Sequence, residues 1–279
     1  MPTRADILEH LVVPEGADRL DRLLRGLDAG DALLRLHPVA LGGAPIALRP
    51  LAEDARAFVD AMVRKRTSPA ASLPAGGTAL VIGAHIGLGC AALLAEDPRA
   101  RVLAVEMDRA CADLCARNLE PFGARAGVLC CAAWGVGGRV HVTGSCERTR
   151  RVAALDWYPG HHPERTAPTG LVEALSVPAI MDRLGLERAS LLHLSVNGAE
   201  ASLLDRVSPW LKRVDAAAVR VSPPSNPEQI RWRLSEQGMV VKADPRDASV
   251  LVALRRELAW SQPRFAVPMD RLEPAVGPG

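Results

Sequence analysis

The sequence predicts an α/β fold: a mostly parallel sheet with an antiparallel hairpin at one edge, preceded by a helical extension. Three observations point there. From residue 78 onward short apolar runs alternate with helical segments, the signature of strands joined by crossover helices. The last two runs are separated only by turn residues of the type Asp244-Pro245-Arg246-Asp247-Ala248, which pairs them as a hairpin. Residues 1–70 instead place their apolar side chains at helical spacing.

The extension is read first. Leu20, Leu23, Leu24 and Leu27 share one helix face, with Gly26 and Gly30 as stop signals. A second helix follows from Ala55, Phe58, Val59, Met62 and Val63, and it ends in the basic turn Arg64, Lys65 and Arg66, which suits a helix C-terminus. The segment at 32–51 between them, with Gly42, Gly43, Pro45 and Pro50, fits a short hairpin or an irregular link.

Thr67 to Ala95 contains no Asp, Glu, Lys or Arg and is long enough to cross a bilayer. Prolines and glycines divide its apolar residues into two short blocks, so a buried strand, a glycine turn and a helix are expected there and no membrane span. The candidate strands are Thr78–Ile82, Arg101–Val105, Ala126–Cys130, Leu191–Ser195, Ala217–Val221, Met239–Lys242 and Ser249–Leu254. Asp108 is placed to cap a helix over 109–119, and Asn226 with Pro227 and Gln229 opens one at 227–237. Ala199, Leu203, Leu204, Val207 and Leu211 form the stripe of a further helix. The expected division is an extension at 1–70, the sheet domain at 71–256 and a loosely held Pro-rich tail at 257–279.

Composition narrows the function classes. At about 150 residues per domain, 279 residues make one large domain, or one domain with an extension. With 48% hydrophobic and 24% charged residues the chain is globular, which excludes disordered, collagen-like and mucin-like proteins. Thirty-four Lys and Arg against 32 Asp and Glu leave a formal charge of +2, and aromatics are only 3%. Neither a global field nor a base-stacking surface therefore announces a nucleic-acid partner or an anionic membrane. No oligomeric state follows from these numbers.

The six cysteines, Cys90, Cys111, Cys115, Cys130, Cys131 and Cys146, contain no CxxC, and no disulfide framework is expected. Cys111 and Cys115 could share a helix face and bind a metal with Cys130 or Cys131, or the thiols act as small buried apolar groups. The second reading is favoured and no metal is assigned. The start, MPTRADILEHLVV, carries acidic residues and lacks a small-residue cleavage site, so a reduced cytoplasmic location is expected.

The chemistry concentrates at Val81-Ile82-Gly83-Ala84-His85-Ile86-Gly87, where a buried strand turns into a helix. Glycines there allow a ligand close to the backbone, and the helix start offers free amides. A tight turn against a close helix needs glycine for purely steric reasons too. Glu106 lies 23 residues after Gly83 at the end of the next strand, where a carboxylate can accept hydrogen bonds from two ribose hydroxyls. The bland reading of Glu106 is an exposed residue near a helix start.

These residues resemble the FkbM-type branch of class I S-adenosylmethionine-dependent methyltransferases. GAHIG at 83–87 resembles its glycine motif, AVEMD at 104–108 its acidic ribose motif, and CARNLE at 115–120 the helix ending that follows. CCAAW at 130–134 resembles the small-residue segment that receives the adenine, and SVPAIMDRLGLERASLLHLSVNGAEASLLDRV at 176–207 is similar to the family's Asp-Val-Glu-Gly-Ala-Glu region. The resemblance covers roughly residues 74–222. It implies a Rossmann-like class I methyltransferase sheet and S-adenosylmethionine as cofactor, held by Gly83, Ala84, His85, Gly87, Glu106, Met107, Ala132 and Ser195. It also implies O-methylation of a small-molecule or glycan-type hydroxyl.

The chain departs from that pattern at Val81, Ser195, Asn197 and His193, where the family usually has Asp, Asp, Glu and Lys; Gly198, Ala199 and Glu200 are retained. Methyl transfer to a hydroxyl needs alignment and a proton acceptor, and the candidate catalytic residues are His193 and Glu200, with His85 serving the turn through its backbone. Arg148, Arg150, Arg151, Trp157, Tyr158, His161 and His162 fall in an insertion at 144–170 that reads either as a substrate-facing lid or as a variable surface loop. Two other functions stay open. One is a catalytically impaired member that binds a partner. The other is a nicotinamide-dependent oxidoreductase, weaker because its fingerprint would need Gly at position 85.

Overall fold

The structure is a computed structural model and describes residues 3–27, 30–64, 76–143, 151–153, 170–205 and 208–259. The chain opens with helices α1 (Arg4–Leu8) and α2 (Ala17–Leu24), an antiparallel pair β1 (Leu34–Leu36) and β2 (Ile46–Leu48), and α3 (Ala52–Phe58), which widens into a π-helical turn at Val59–Val63. The hairpin reading of 32–51 is the one observed. The helix expected from Ala55 starts three residues earlier, with Glu53 and Asp54 in its first turn, where they complement the helix dipole.

Next come β3 (Thr78–Ile82), α4 (Leu88–Glu96), β4 (Arg101–Glu106), α5 (Arg109–Leu119) and β5 (Ala126–Cys130). They are followed by the short strands β6 (Ala132–Ala133), β7 (Gly138–Thr143), β8 (Arg151–Ala153) and β9 (Gly170–Leu175). The chain continues through α6 (Val177–Arg183), β10 (Ala189–Leu194), α7 (Glu200–Leu203), β11 (Val214–Arg220), α8 (Pro227–Glu236), β12 (Met239–Asp244), β13 (Asp247–Arg255) and α9 (Arg256–Ala259). Among the described residues, no helix is long and apolar enough to cross a membrane. The uncharged stretch from residue 76 on forms β3, the glycine turn and α4.

Seven strands make the main sheet in the order β12-β13-β11-β10-β3-β4-β5. β11, β10, β3, β4 and β5 run parallel, and β13 is antiparallel to both of its neighbours. This is the expected Rossmann-like α/β sheet with an antiparallel edge hairpin. Side chains alternate across it: Ala79 and Val81 of β3 enter one core with α2 to α5, while Leu80 and Ile82 enter the other with α6 and α8. A sheet covered on both faces needs apolar residues at both parities, which is why its central strands read as unbroken apolar runs.

Two expectations change. The stripe from Ala199 to Leu211 yields only the four-residue α7 and, after a break, a 3₁₀ turn at Pro209–Arg213. Pro209 keeps Ser208 out of helical geometry (ψ 68°), and Arg233 of α8 satisfies the carbonyls of Ala201 and Leu204 where α7 ends. A second, four-stranded sheet, in the order β6-β9-β7-β8, was not expected. The start of the expected tail, 257–259, lies in the short helix α9, and Ala259 is buried in the first core. Residues 260–279 lie outside the described residues.

The extension shares its core with the sheet domain. Ile46, Leu48, Phe58 and Met62 belong to the same buried cluster as Leu93 and Leu94 of α4 and Leu114 of α5. Asn118 of α5, 1% exposed, completes the join: its Oδ1 accepts from the Ala47 amide at 2.7 Å, and its Nδ2 donates to the carbonyls of Ala47 at 3.0 Å and Ile86 at 2.8 Å. Replacing it with Ala strands three buried backbone groups. The expected cost is about 3 kcal/mol, read as a lower urea midpoint with an unchanged slope; an unshifted midpoint would show that the join carries no stability.

Candidate functional site

Strand order reverses between β3 and β10, and the carboxyl ends on either side of such a reversal frame the usual ligand crevice of an open α/β sheet. The turn after β3 is anchored on β4: the amides of Gly83 and Ala84 both donate to the Val105 carbonyl, at 2.9 and 3.1 Å. Gly83 has φ 83°, and a Cβ there would lie 1.9 Å from the carbonyl oxygen of Ser195. Gly87, at φ 82°, caps α4, and a Cβ on it would press within 2.8 Å of the Cys115 sulfur. The steric reason for these glycines is thus explicit: the turn is wedged between β10 and α5.

His85 stands at φ 52°, a left-handed conformation that costs a non-glycine residue energy, and its amide donates to Glu106 Oε2 at 2.8 Å. Glu106 Oε1 accepts from the Asp108 amide at 2.9 Å. Glu106 is buried, 9% exposed, and is not the solvent-facing residue of the bland reading. Asp108 caps α5 by accepting from the Cys111 amide, as its position in the sequence indicates. No side chain caps α4, so the amides of its first turn face the same strand ends without a side-chain acceptor.

Beside Glu106, Met107 is half-buried and packs with Trp134 and Val172 on a small core of Ala132, Val140 and Ala174. Ala132 is itself buried in β6, paired with Ala174 of β9, so Met107 and Trp134 form the outer layer over it.

Ser195 follows β10; its amide donates to the Ile82 carbonyl at 2.9 Å, holding the two strand ends together. Asn197 (φ 49°) and Gly198 (φ 100°) complete a tight loop, and a Cβ at Gly198 would lie 2.7 Å from the Pro223 carbonyl oxygen. Glu200 is fully buried beneath it: Oε1 accepts from the Gly198 amide at 3.1 Å, and Oε2 accepts from the Ser225 hydroxyl at 2.7 Å. This carboxylate braces the loop against the segment after β11. Gly135 ties the loop after β6 to α7 through Ser202 Oγ at 3.1 Å.

His193 lies in β10 between Val81 and Ala218, its neighbours in register on β3 and β11. Burial pushes its pKa down to about 4, with the charge of Arg220 adding to the effect, so the ring is neutral at pH 7. Burial keeps three of the thiols protonated: Cys115 and Cys131 are pushed up to about 12, and Cys90 is raised well above its usual value for the same reason. No group of three His, Cys, Asp or Glu among the described residues is placed to hold a metal ion. Cys146 and, in the insertion, Arg148, Arg150, Trp157, Tyr158, His161 and His162 lie outside the described residues.

The structure adds residues that sequence reading did not single out. Arg49, just after β2 and half-buried, and the buried Asp54 of α3 form an ion pair at 2.7 Å, and both reach the His85 ring. A signal was present: Asp54 lies one turn before Phe58 on the apolar side of its helix, where a charge requires a partner, and Arg49 is five residues away.

No family model and no curated protein matches the chain. Among solved structures it is similar to a precorrin-6Y C5,15-methyltransferase from Geobacter metallireducens GS-15, with 12% identity and a TM-score of 0.40 over 69% of this chain and 85% of that one. It is similar too to Aeropyrum pernix fibrillarin in complex with S-adenosyl-L-methionine, with 12% identity and a TM-score of 0.38 over 65% and 67% of the two chains. A third likeness is to a protein of the NADB-Rossmann superfamily from Streptococcus agalactiae, with 13% identity and a TM-score of 0.41 over 68% and 64%. At these identities the likeness is one of fold.

The depressed pKa of His193 has a testable sign. Unfolded, the ring takes up its proton near pH 6.5; folded, it does so at about 4, so stability is lost as pH falls from 6.5 toward 4. Urea denaturation of the wild type and of His193→Gln at pH 7 and pH 4.5 should show the variant losing less over that interval, by on the order of 1–3 kcal/mol. Parallel losses in the two proteins would mean that the ring is not buried as described.

Proposed function

We propose that this chain is an S-adenosylmethionine-dependent methyltransferase of the FkbM type, acting on the hydroxyl of a small molecule or glycan. The observation that supports this best is Glu106: a buried carboxylate at the end of β4, one oxygen on the glycine-turn amide and the other on the amide that leads into α5. A carboxylate fixed at a strand end beside the glycine turn has the acceptor chemistry that two neighbouring ribose hydroxyls need.

The donor set fits the rest of the cofactor by its chemistry. The uncapped start of α4 offers amides to a carboxylate, and the apolar layer of Met107 and Trp134 over Ala132 suits a purine. Gly83, Ala84, His85 and Gly87 contribute backbone, and Ser195 closes the opposite side. When bound, S-adenosylmethionine supplies an electrophilic methyl group on a sulfonium centre.

The chain's own task is then to align an acceptor hydroxyl and take up its proton. We assign the proton to His193, which is neutral at pH 7, though its low pKa makes it a weak base. Glu200 we assign to positioning, because one oxygen already accepts from the Gly198 amide and the other from the Ser225 hydroxyl. That same observation favours the second reading, a binding protein on this fold without catalysis: one carboxylate of the motif is spent on structure, and the His193 imidazole is weakly basic.

Calorimetric titration with S-adenosylhomocysteine, run beside Glu106→Ala, tests the proposal. The wild type is expected to bind saturably and the variant at least about tenfold more weakly. Equal binding by both would remove the ribose assignment, and no binding by a folded wild type would remove the cofactor.

A further inference from the structure

His85 is one of two described non-glycine residues with positive φ, and the segment before the sheet domain meets it directly. Asp54 is fully buried. Its Oδ2 accepts from the Arg49 backbone amide at 2.8 Å and from Arg49 Nε at 3.0 Å, and its Oδ1 accepts from Arg49 Nη2 at 2.7 Å. This two-pronged pairing fixes the guanidinium plane. The same Nη2 lies 3.3 Å from His85 Nε2, and Nη1 lies 3.4 Å from Cys111 Sγ on α5. Asp54 Oδ1 is 3.5 Å from His85 Nε2. Two turns further along α5, Asn118 links Ala47 of the extension to the Ile86 carbonyl, so the turn is tied to the extension at two consecutive residues, His85 directly through its side chain and Ile86 through Asn118.

The arrangement solves a specific problem. The His85 amide donates to Glu106 while the residue holds a left-handed conformation, which an L side chain rarely adopts. A ring held by a partly buried, two-pronged ion pair offsets that cost. A surface ion pair would not do so, because solvent leaves it loose.

We propose that Arg49 and Asp54 are positioning residues of the candidate site: by holding the His85 ring they keep its amide on Glu106 and the carboxylate aimed at its ligand. The inference rests on the methyltransferase reading for its ligand, but not for its geometry. It makes the segment before the sheet domain part of the site.

The test uses the full chain with Asp54→Asn, which keeps the size of the side chain and removes its charge. In ligand-free protein, exchange of the His85 amide, followed by NMR, should quicken at least about tenfold relative to the core amides of β3 and β4. Titration with S-adenosylhomocysteine should show affinity reduced about tenfold. In a His85→Asn background, whose side chain tolerates the left-handed conformation without the ion pair, the same Asp54 change should have little effect on either readout. A merely structural role for the pair would lower the melting temperature and cost the same affinity in both backgrounds, and that result overturns the proposal, as does unchanged His85 exchange in Asp54→Asn. If that variant does not fold, Arg49→Gln with Asp54→Asn removes both charges together and carries the same comparison. Should the folded wild type bind no S-adenosylhomocysteine, the cofactor reading fails, and the exchange measurements alone decide the positioning role.

Discussion

The carboxylate of Glu106 is the constraint on which the site depends. Standing at the end of β4, it accepts one amide from the turn after β3 and one from the start of α5, so a single buried group sets where two parallel strands hand over to their helices. A buried carboxylate is tolerated only when its hydrogen-bonding capacity is used. The amides of His85 and Asp108 are among its partners, and they fix it at the strand ends where the sheet order reverses.

Around that group the packing is close enough to leave little choice of residue. Gly83 has a carbonyl oxygen of the neighbouring strand where its side chain would be, and Gly198 meets Pro223 in the same way on the far side of the reversal. Ser195 bonds back to Ile82, and Glu200 holds the loop between them from below. The site is therefore built by mutual wedging of the β3 and β10 ends. The extension meets the turn through the Arg49–Asp54 pair and, by way of Asn118 of α5, through Ala47, and it shares one core with the sheet domain.

Much of this was legible in the sequence, and the parts that were not share a physical cause. The central strands announce themselves because a sheet buried on both faces has no polar parity, and Asp108 and Asn226 cap the helices they precede. Glu106 could be found because its role depends on its distance from Gly83 along the chain. The second sheet escaped notice because β6 has two residues, and β7, Gly-Arg-Val-His-Val-Thr, carries a Gly, an Arg and a His among its few apolar residues. The helix expected through Leu211 ignored what Pro209 does to the residue before it. The Arg49–Asp54–His85 contact spans more than thirty positions of sequence, and no local pattern encodes it.

The central claim is that Glu106, held by two amides, is the acceptor for a ribose. A crystal structure of the protein with S-adenosylhomocysteine tests it most directly. The account requires both ribose hydroxyls within hydrogen-bonding distance of the Glu106 carboxylate while the amides of His85 and Asp108 stay bonded to it. A nucleoside bound elsewhere, with that carboxylate out of reach of its ribose, would contradict it.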